Sequence, residues 1–161
     1  MEKDYKNIYE VFETIYVWLE TAGFQFGDRS KIMLAYSLID EEIQEMKDGS
    51  NNKDREEIKD GLSDTIFCLG NACYFEGIKL EDLADKFNKV VKSNYSKFPL
   101  TREEAVLSTE AYIKGEHFTK KGQLIPAKYE STGNSQYPFV IKHAVSGKLL
   151  KSINYLDPDK F

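Results

Sequence analysis

Asp40-Glu41-Glu42-Ile43-Gln44-Glu45 and, after a short polar break, Glu57-Ile58-Lys59-Asp60-Gly61-Leu62-Ser63-Asp64 form the stretch whose reading decides the fold. Each segment reads as a helix, and the two present carboxylates to one another. At about 100° per residue, Glu41, Glu42 and Glu45 fall within roughly 100° of arc. That arc continues a stripe from Leu34 and Leu38 that is expected to face the core, so acids stand where a core wants leucine. In the second segment Glu57, Asp60 and Asp64 share one face, while Ile58, Leu62, Ile66 and Leu69 take the neighbouring apolar one. Five or six carboxylates are therefore expected to converge. Partly buried, such a cluster repels itself unless a cation sits among the acids or several of them take up protons. Hard divalent ions with oxygen ligands, Mg²⁺ first and Mn²⁺ as a substitute, are the natural partners. The plainer alternative is a set of solvated acids on helix surfaces, which is what most charge runs are.

Working outward, residues 4–22 carry aromatic and β-branched side chains at three- and four-residue steps and read as a first amphipathic helix. Its aromatics are more often core than a stacking platform for a base; Trp18 and Phe24 are the exceptions to watch. The second helix is expected over Lys31–Asp48, capped by Asp28 or Ser30. Asp48–Asp54 reads as a polar loop, with Asp54 capping the third helix. So short a connection makes the two acid-bearing helices antiparallel neighbours. The third helix runs to Gly77, a good residue just past a helix end, and Gly70 and Ala72 permit a close helix contact. A fourth helix from Leu80 or Glu81 to about Ser93 ends in Lys92-Ser-Asn-Tyr-Ser-Lys97, and Pro99 forces the exit. Lys92, Asn94, Ser96 and Lys97 offer ammonium, amide and hydroxyl groups for phosphate or sugar. They serve equally well as a helix-terminal cap.

The Thr101-Arg-Glu-Glu104 capping box opens a short helix through Tyr112. Strands are then expected at His117–Ile125, Tyr137–Val145 and Gly147–Ile153, with a polar loop over Tyr129–Gln136. His117 and His143 have no partners at metal spacing and read as surface or strand residues. Cys68 and Cys73, five apart, suit neither a zinc pair nor a disulfide and read as packing thiols. The fold expected is mainly α: an antiparallel four-helix core over 1–98 with a small C-terminal antiparallel β appendage over 99–161, together a single domain.

The formal charge of −5 hides an asymmetry, because residues 89–161 carry twelve Lys/Arg against seven Asp/Glu and residues 1–88 carry ten against twenty. An acidic half able to hold metal and a basic half able to hold phosphate suit a small polyphosphate ligand. Nucleic-acid binding is disfavoured for want of a basic stripe interleaved with aromatics. With no apolar run of eighteen residues and no apolar stretch at the start, the expectation is a cytoplasmic protein with no membrane partner.

These residues resemble the all-α nucleoside triphosphate pyrophosphohydrolases, the superfamily of MazG, dimeric dUTPases and phosphoribosyl-ATP pyrophosphohydrolase. The resemblance lies in Asp40-Glu-Glu-Ile-Gln-Glu45, Asp60-Gly-Leu-Ser-Asp-Thr-Ile-Phe67, Ser93-Asn-Tyr-Ser-Lys97 and the tail Gly147-Lys-Leu-Leu-Lys-Ser-Ile-Asn-Tyr-Leu-Asp-Pro-Asp159. The last two look like a bacterial and phage branch. It implies that Glu41, Glu42 and Glu45 bind Mg²⁺, that Glu41 takes a proton from water, and that Asp64 completes a Glu-x-x-Asp. Gly61 stands where that motif has its glutamate, so Asp60 or Glu57 takes over the role, or those two are themselves the motif. The resemblance also implies substrate contacts from Lys92, Asn94, Ser96, Lys97, Lys148, Lys151 and Tyr155, with Trp18 a further candidate. The implied activity is Mg²⁺-dependent hydrolysis of nucleoside triphosphates to monophosphate and pyrophosphate by a homodimer or homotetramer. The alternative is an inactive helical protein that binds nucleotide or divalent metal.

Overall fold

The computed structural model describes residues 8–160. Its elements in order are α1 (Ile8–Thr21), a 3₁₀ turn (Arg29–Lys31), α2 (Ile32–Asn52), α3 (Arg55–Phe75), α4 (Leu80–Tyr95), α5 (Arg102–Ile113), β1 (Ala127–Ser131) and β2 (Phe139–His143). The protein is mainly helical with a small antiparallel sheet, as the pattern of apolar residues implies. Residues 4–7 of the expected first helix lie outside the described residues. The chain divides into two compact units, 1–85 and 86–161, the boundary falling between Asp85 and Lys86 inside α4.

In the first unit, α2 and α3 form an antiparallel hairpin. The side of α2 that is withdrawn from solvent runs Ile32, Ala35, Ile39, Glu42, Met46, Gly49, and that of α3 runs Ile58, Gly61, Thr65, Cys68, Ala72, Phe75. Both alternate steps of three and four, the spacing that keeps two helices in register along a shared seam. The inward stripe is therefore not the Leu34/Leu38 line expected from sequence. Leu34, Glu41 and Glu45 are exposed, and Glu42 is the one acid on the seam.

The expected loop over Asp48–Asp54 shrinks to Lys53 and Asp54. α2 continues through Asn52 because Gly49 is buried against α3: a Cβ on it would lie 3.2 Å from Glu57 Cβ and Ile58 Cγ1. Lys53 takes the left-handed conformation at φ 59°, which costs a non-glycine residue about 1–2 kcal/mol. In return the Asp54 N–H reaches the Gly49 carbonyl at 2.8 Å. Asp54 caps α3 as expected, accepting from the N–H groups of Glu56 and Glu57, a contribution of about 1 kcal/mol. At the other end Gly77, at φ +72°, terminates α3.

α1 lies on this hairpin through Ile15, Tyr16 and Leu19, which pack with Ile32, Ala35, Ala72, Tyr74 and Phe75. Gly70 allows the approach, since a Cβ there would come within 2.6 Å of Ile15 Cδ1. The Gly70/Ala72 face is thus covered by α1 of the same chain, the close helix contact expected of these small residues.

The second unit centres on Tyr112, Ile125, Ala127, Ile141 and Leu150. Thr101 caps α5 by accepting from Glu104 N–H, and Glu104 reaches back to Leu100 N–H at 2.9 Å. Strands β1 and β2 pair antiparallel with Ala127 opposite His143 and Ser131 opposite Phe139. β1 occupies part of the segment expected to be a loop. It is held there by Glu130, which accepts from Lys128 on its own strand and from Lys142 on β2 at 2.7 and 2.6 Å. The expected strand at His117–Ile125 is a run of turns, closed by Gly122 N–H on Gly115 O and Ile125 N–H on Tyr112 O. The third expected strand is reduced to a bridge between Lys142 and Leu149.

His117 is no surface residue. It is fully buried, stacked on Tyr112 with ring centroids 3.9 Å apart, and burial pushes its pKa down.

Candidate functional site

Glu42 is the pivot of the acid cluster. Its position on the seam forces it between α2 and α3, where Oε2 is buried and has no hydrogen-bond partner. Loss of solvent raises its pKa first, and the charges of Glu45, Asp64 and Glu41 raise it further. Glu41, Glu42, Glu45 and Asp64 are thereby brought within electrostatic reach of one another across the hairpin. Cys68, one turn beyond Asp64 and buried beneath it, is raised by burial and then by Glu42, Asp64 and Glu41. Cys73 is a half-buried free thiol, so both cysteines are packing residues.

Glu57 and Asp60 stand differently. Glu57 belongs to the first turn of α3, where its stem packs on Gly49 and its N–H is taken by Asp54. Asp60 is exposed, one turn before Asp64. Gly61 faces α2, and a Cβ on it would lie 2.7 Å from Met46 Cγ and 3.2 Å from the Glu42 carbonyl oxygen. A glutamate at 61 has no room at this helix contact, which gives the departure from Glu-x-x-Asp a physical reason.

Among the described residues no group of three or more His, Cys, Asp or Glu side chains is placed to hold a metal ion. The donor chemistry nevertheless fits a hard divalent ion. Glu42 offers a buried oxygen that nothing else satisfies, and the exposed carboxylates of Glu41, Glu45 and Asp64 flank it. An unpaired buried carboxylate is costly, and either a cation or a proton relieves it.

Trp18 is half exposed, set edge-on to Phe67 at 5.1 Å. With Phe24, Leu34, Leu38 and Phe75 it lines a cleft of about 160 Å³. Asn71, unremarked in the sequence reading, lines the same cleft with a buried, unpartnered Oδ1. Only its seven-residue offset from Asp64, which puts both on one stripe of α3, was open to sequence.

The remaining candidates lie in the second unit. Asn94 donates to Val90 O at 2.9 Å and accepts from Lys97, so these two side chains are engaged with each other at the end of α4. Ser96 donates to Ser93 O and accepts from Leu156 N–H at 2.8 Å. Tyr155 accepts from Ser93 Oγ at 2.9 Å and carries Lys151 Nζ 3.9 Å above its ring. These bonds tie the tail to α4. Lys92 is exposed. Lys148 and Lys151 line a cleft of about 470 Å³ with Lys120 and His143.

Residues 25–91 match the family model of phosphoribosyl-ATP pyrophosphohydrolase. That family belongs to the all-α nucleoside triphosphate pyrophosphohydrolase superfamily, and the matched residues include the α2–α3 hairpin with its acids. No curated protein and no solved structure matches the chain. The family is one of nucleotide pyrophosphohydrolases, so the matched segment supports a hydrolase acting on a nucleotide. Among the described residues no helix is long and apolar enough to cross a membrane.

Proposed function

We propose that the protein hydrolyses nucleoside triphosphates at the α-phosphorus, releasing pyrophosphate and leaving the nucleoside monophosphate. The observation that carries the reading is the buried, unpartnered Glu42 oxygen among three further carboxylates on the hairpin that matches the family. Glu42, Glu45 and Asp64 would hold Mg²⁺ or Mn²⁺, which when bound neutralises triphosphate charge and acidifies water. Glu41, exposed on the same face, accepts the proton of the attacking water. The water oxygen bonds to the α-phosphorus, the bond from that phosphorus to the bridging oxygen breaks, and the electron pair leaves with pyrophosphate. Asp60 stands one turn from Asp64 and takes the part that Gly61 cannot.

The substrate is a free nucleotide, and the working form a homodimer or homotetramer. Leu62, Ile66 and Leu69 support the assembly, being a stripe on α3 that is 50%, 46% and 42% exposed, since apolar patches of this kind mark interfaces.

Hydrolysis in ¹⁸O-labelled water tests the bond that is cleaved. Label in the nucleoside monophosphate and none in pyrophosphate is the expected result; label in pyrophosphate, or orthophosphate as the first product, contradicts the proposal.

A further inference from the structure

The cleft of about 470 Å³ in the second unit is built from residues between 112 and 151, wholly outside the 25–91 segment that matches the family. Its floor is apolar, made by Tyr112, Ile125 and Leu150, side chains that also form the core of this unit. Its polar wall comes from three separate stretches: Lys120 from the turns after α5, His143 from the end of β2, and Lys148 from just beyond the turn that follows. The His143 N–H donates to the Lys148 carbonyl at 2.8 Å, which holds these two residues side by side. His143 Nδ1 accepts from the N–H groups of Val145 and Ser146 at 3.3 and 3.1 Å. A backbone N–H can only donate, so Nδ1 keeps its lone pair and the ring proton sits on Nε2. His143 thereby adds a donor to two ammonium groups. Among the described residues no acidic side chain lines the cleft, and neither Lys120 nor Lys148 has a carboxylate partner. Lys151 also borders the cleft, but its ammonium is engaged over the Tyr155 ring, 3.9 Å from the centroid.

We propose that this cleft binds a small organic phosphate monoester. The phosphate is held by Lys120, Lys148 and the Nε2–H of His143, and the carbon body lies on Tyr112, Ile125 and Leu150. Two ammonium groups and an imidazole N–H gathered round one cavity, with no carboxylate among them, call for an anion. Lysine serves phosphate as a point charge, whereas a planar carboxylate is matched by the fork of arginine, and no arginine lines the cleft. The cleft, about 470 Å³, falls within the range of roughly 300–1,000 Å³ that small organic ligands occupy. Inorganic phosphate would meet the donors and leave the apolar floor in water, so the ligand carries an organic body whose burial adds to affinity. A monoester also offers more charge and one more terminal oxygen than the diester of a nucleic-acid backbone, which suits three donors converging on a single group.

The chain has two histidines, so their ring-proton signals in NMR report on the cleft without turnover, with His143→Gln fixing which signal is which. The full chain in chelator is titrated with phenyl phosphate, inorganic phosphate, phenol and a thymidine oligonucleotide. The expected result is a saturable shift of the His143 signal with phenyl phosphate, about tenfold tighter than with inorganic phosphate because the ring is buried as well. Phenol gives no saturable shift. Lys120→Gln weakens phenyl phosphate binding about tenfold, the scale of one hydrogen bond to a charged group. Lys120→Arg, which keeps the charge, binds close to the wild type, and neither change at this exposed position moves the melting temperature. Glu45→Gln, in the acid cluster, titrates as the wild type does. No saturable shift, an equal response to phenol, inorganic phosphate binding as tightly as phenyl phosphate, tighter binding of the oligonucleotide, or a Lys120→Gln variant that titrates like the wild type overturns the assignment. A shift that requires Mg²⁺ or is lost in Glu45→Gln overturns it too, because the cleft would then belong to the hydrolytic site. Pyrophosphate release from triphosphates is a separate measurement, so either reading stands when the other fails.

Discussion

Gly61 rests against the backbone of Glu42, so closely that a Cβ on it would stand 3.2 Å from the Glu42 carbonyl oxygen and 2.7 Å from Met46 Cγ. The missing side chain on α3 is what lets α2 bring Glu42 onto the seam. Adding a methyl group here gains about 1 kcal/mol of helix propensity and loses about 1–3 kcal/mol to overpacking. Gly61→Ala is therefore expected to lower stability by on the order of 1 kcal/mol in urea melts. Gly61→Glu, which restores the family motif on paper, is expected to lose more stability and to gain no activity.

Glu42 carries a pH signature. Its folded pKa lies above the ordinary glutamate value of 4.5 because it is desolvated and faces Glu45, Asp64 and Glu41. The folded state therefore binds the proton more tightly than the unfolded chain does. Its contribution is fully present below pH 4.5 and is lost as pH rises through the folded value. Without metal, the melting temperature of Glu42→Gln minus that of wild type is expected to grow over that window and stay positive at pH 7. Mg²⁺ is expected to raise the wild-type melting temperature and leave Glu42→Gln unmoved. A difference that shrinks with rising pH would contradict the site.

His117 titrates in the opposite sense. Its Nδ1 is faced by the Thr119 hydroxyl and N–H, and its Nε2 lies 3.1 Å from Lys151 O, so the neutral ring fits as it stands. Burial holds its pKa below 6.5. The unfolded chain then binds the proton first, and stability is lost as pH falls below 6.5 toward the folded value. His117→Gln is expected to flatten that part of the acid profile, measured as melting temperature against pH, at the cost of some stability at pH 7.

The Leu62/Ile66/Leu69 stripe gives a prediction about assembly. Light scattering is expected to show a dimer or tetramer, and Leu62→Glu with Ile66→Glu is expected to yield a folded monomer by circular dichroism. A wild-type monomer with full activity would remove the stripe as an interface.

The helices were legible because their signals are local. Asp54 and Thr101 cap where their side chains can reach the next N–H groups, and Gly77 ends α3 where a positive φ is needed. What was not legible depended on distant partners. α2 outruns its polar residues because Gly49 is pressed against α3, a contact absent from the sequence of α2 alone. The inward stripe sits one residue away from Leu34 and Leu38 because α3, with Gly61 and Cys68, decides which side of α2 is covered. In the second unit, period-two patterning overstated the strands, since His117 and Ile125 are drawn into the core from turns. The acids were found from their spacing; Asn71 was not, because an amide becomes notable only when its oxygen is buried without a partner.

The most direct measurement is pyrophosphate release from a panel of deoxynucleoside and ribonucleoside triphosphates, with Mg²⁺ and with chelator, by wild type, Glu42→Gln, Glu45→Gln and Asp64→Asn. The account predicts release by wild type in Mg²⁺, none with chelator, and a fall of at least about 100-fold in each variant, the scale on which a lost charge-stabilising group acts. Turnover that survives Glu42→Gln, or no release from any triphosphate by folded wild type in Mg²⁺, would contradict it.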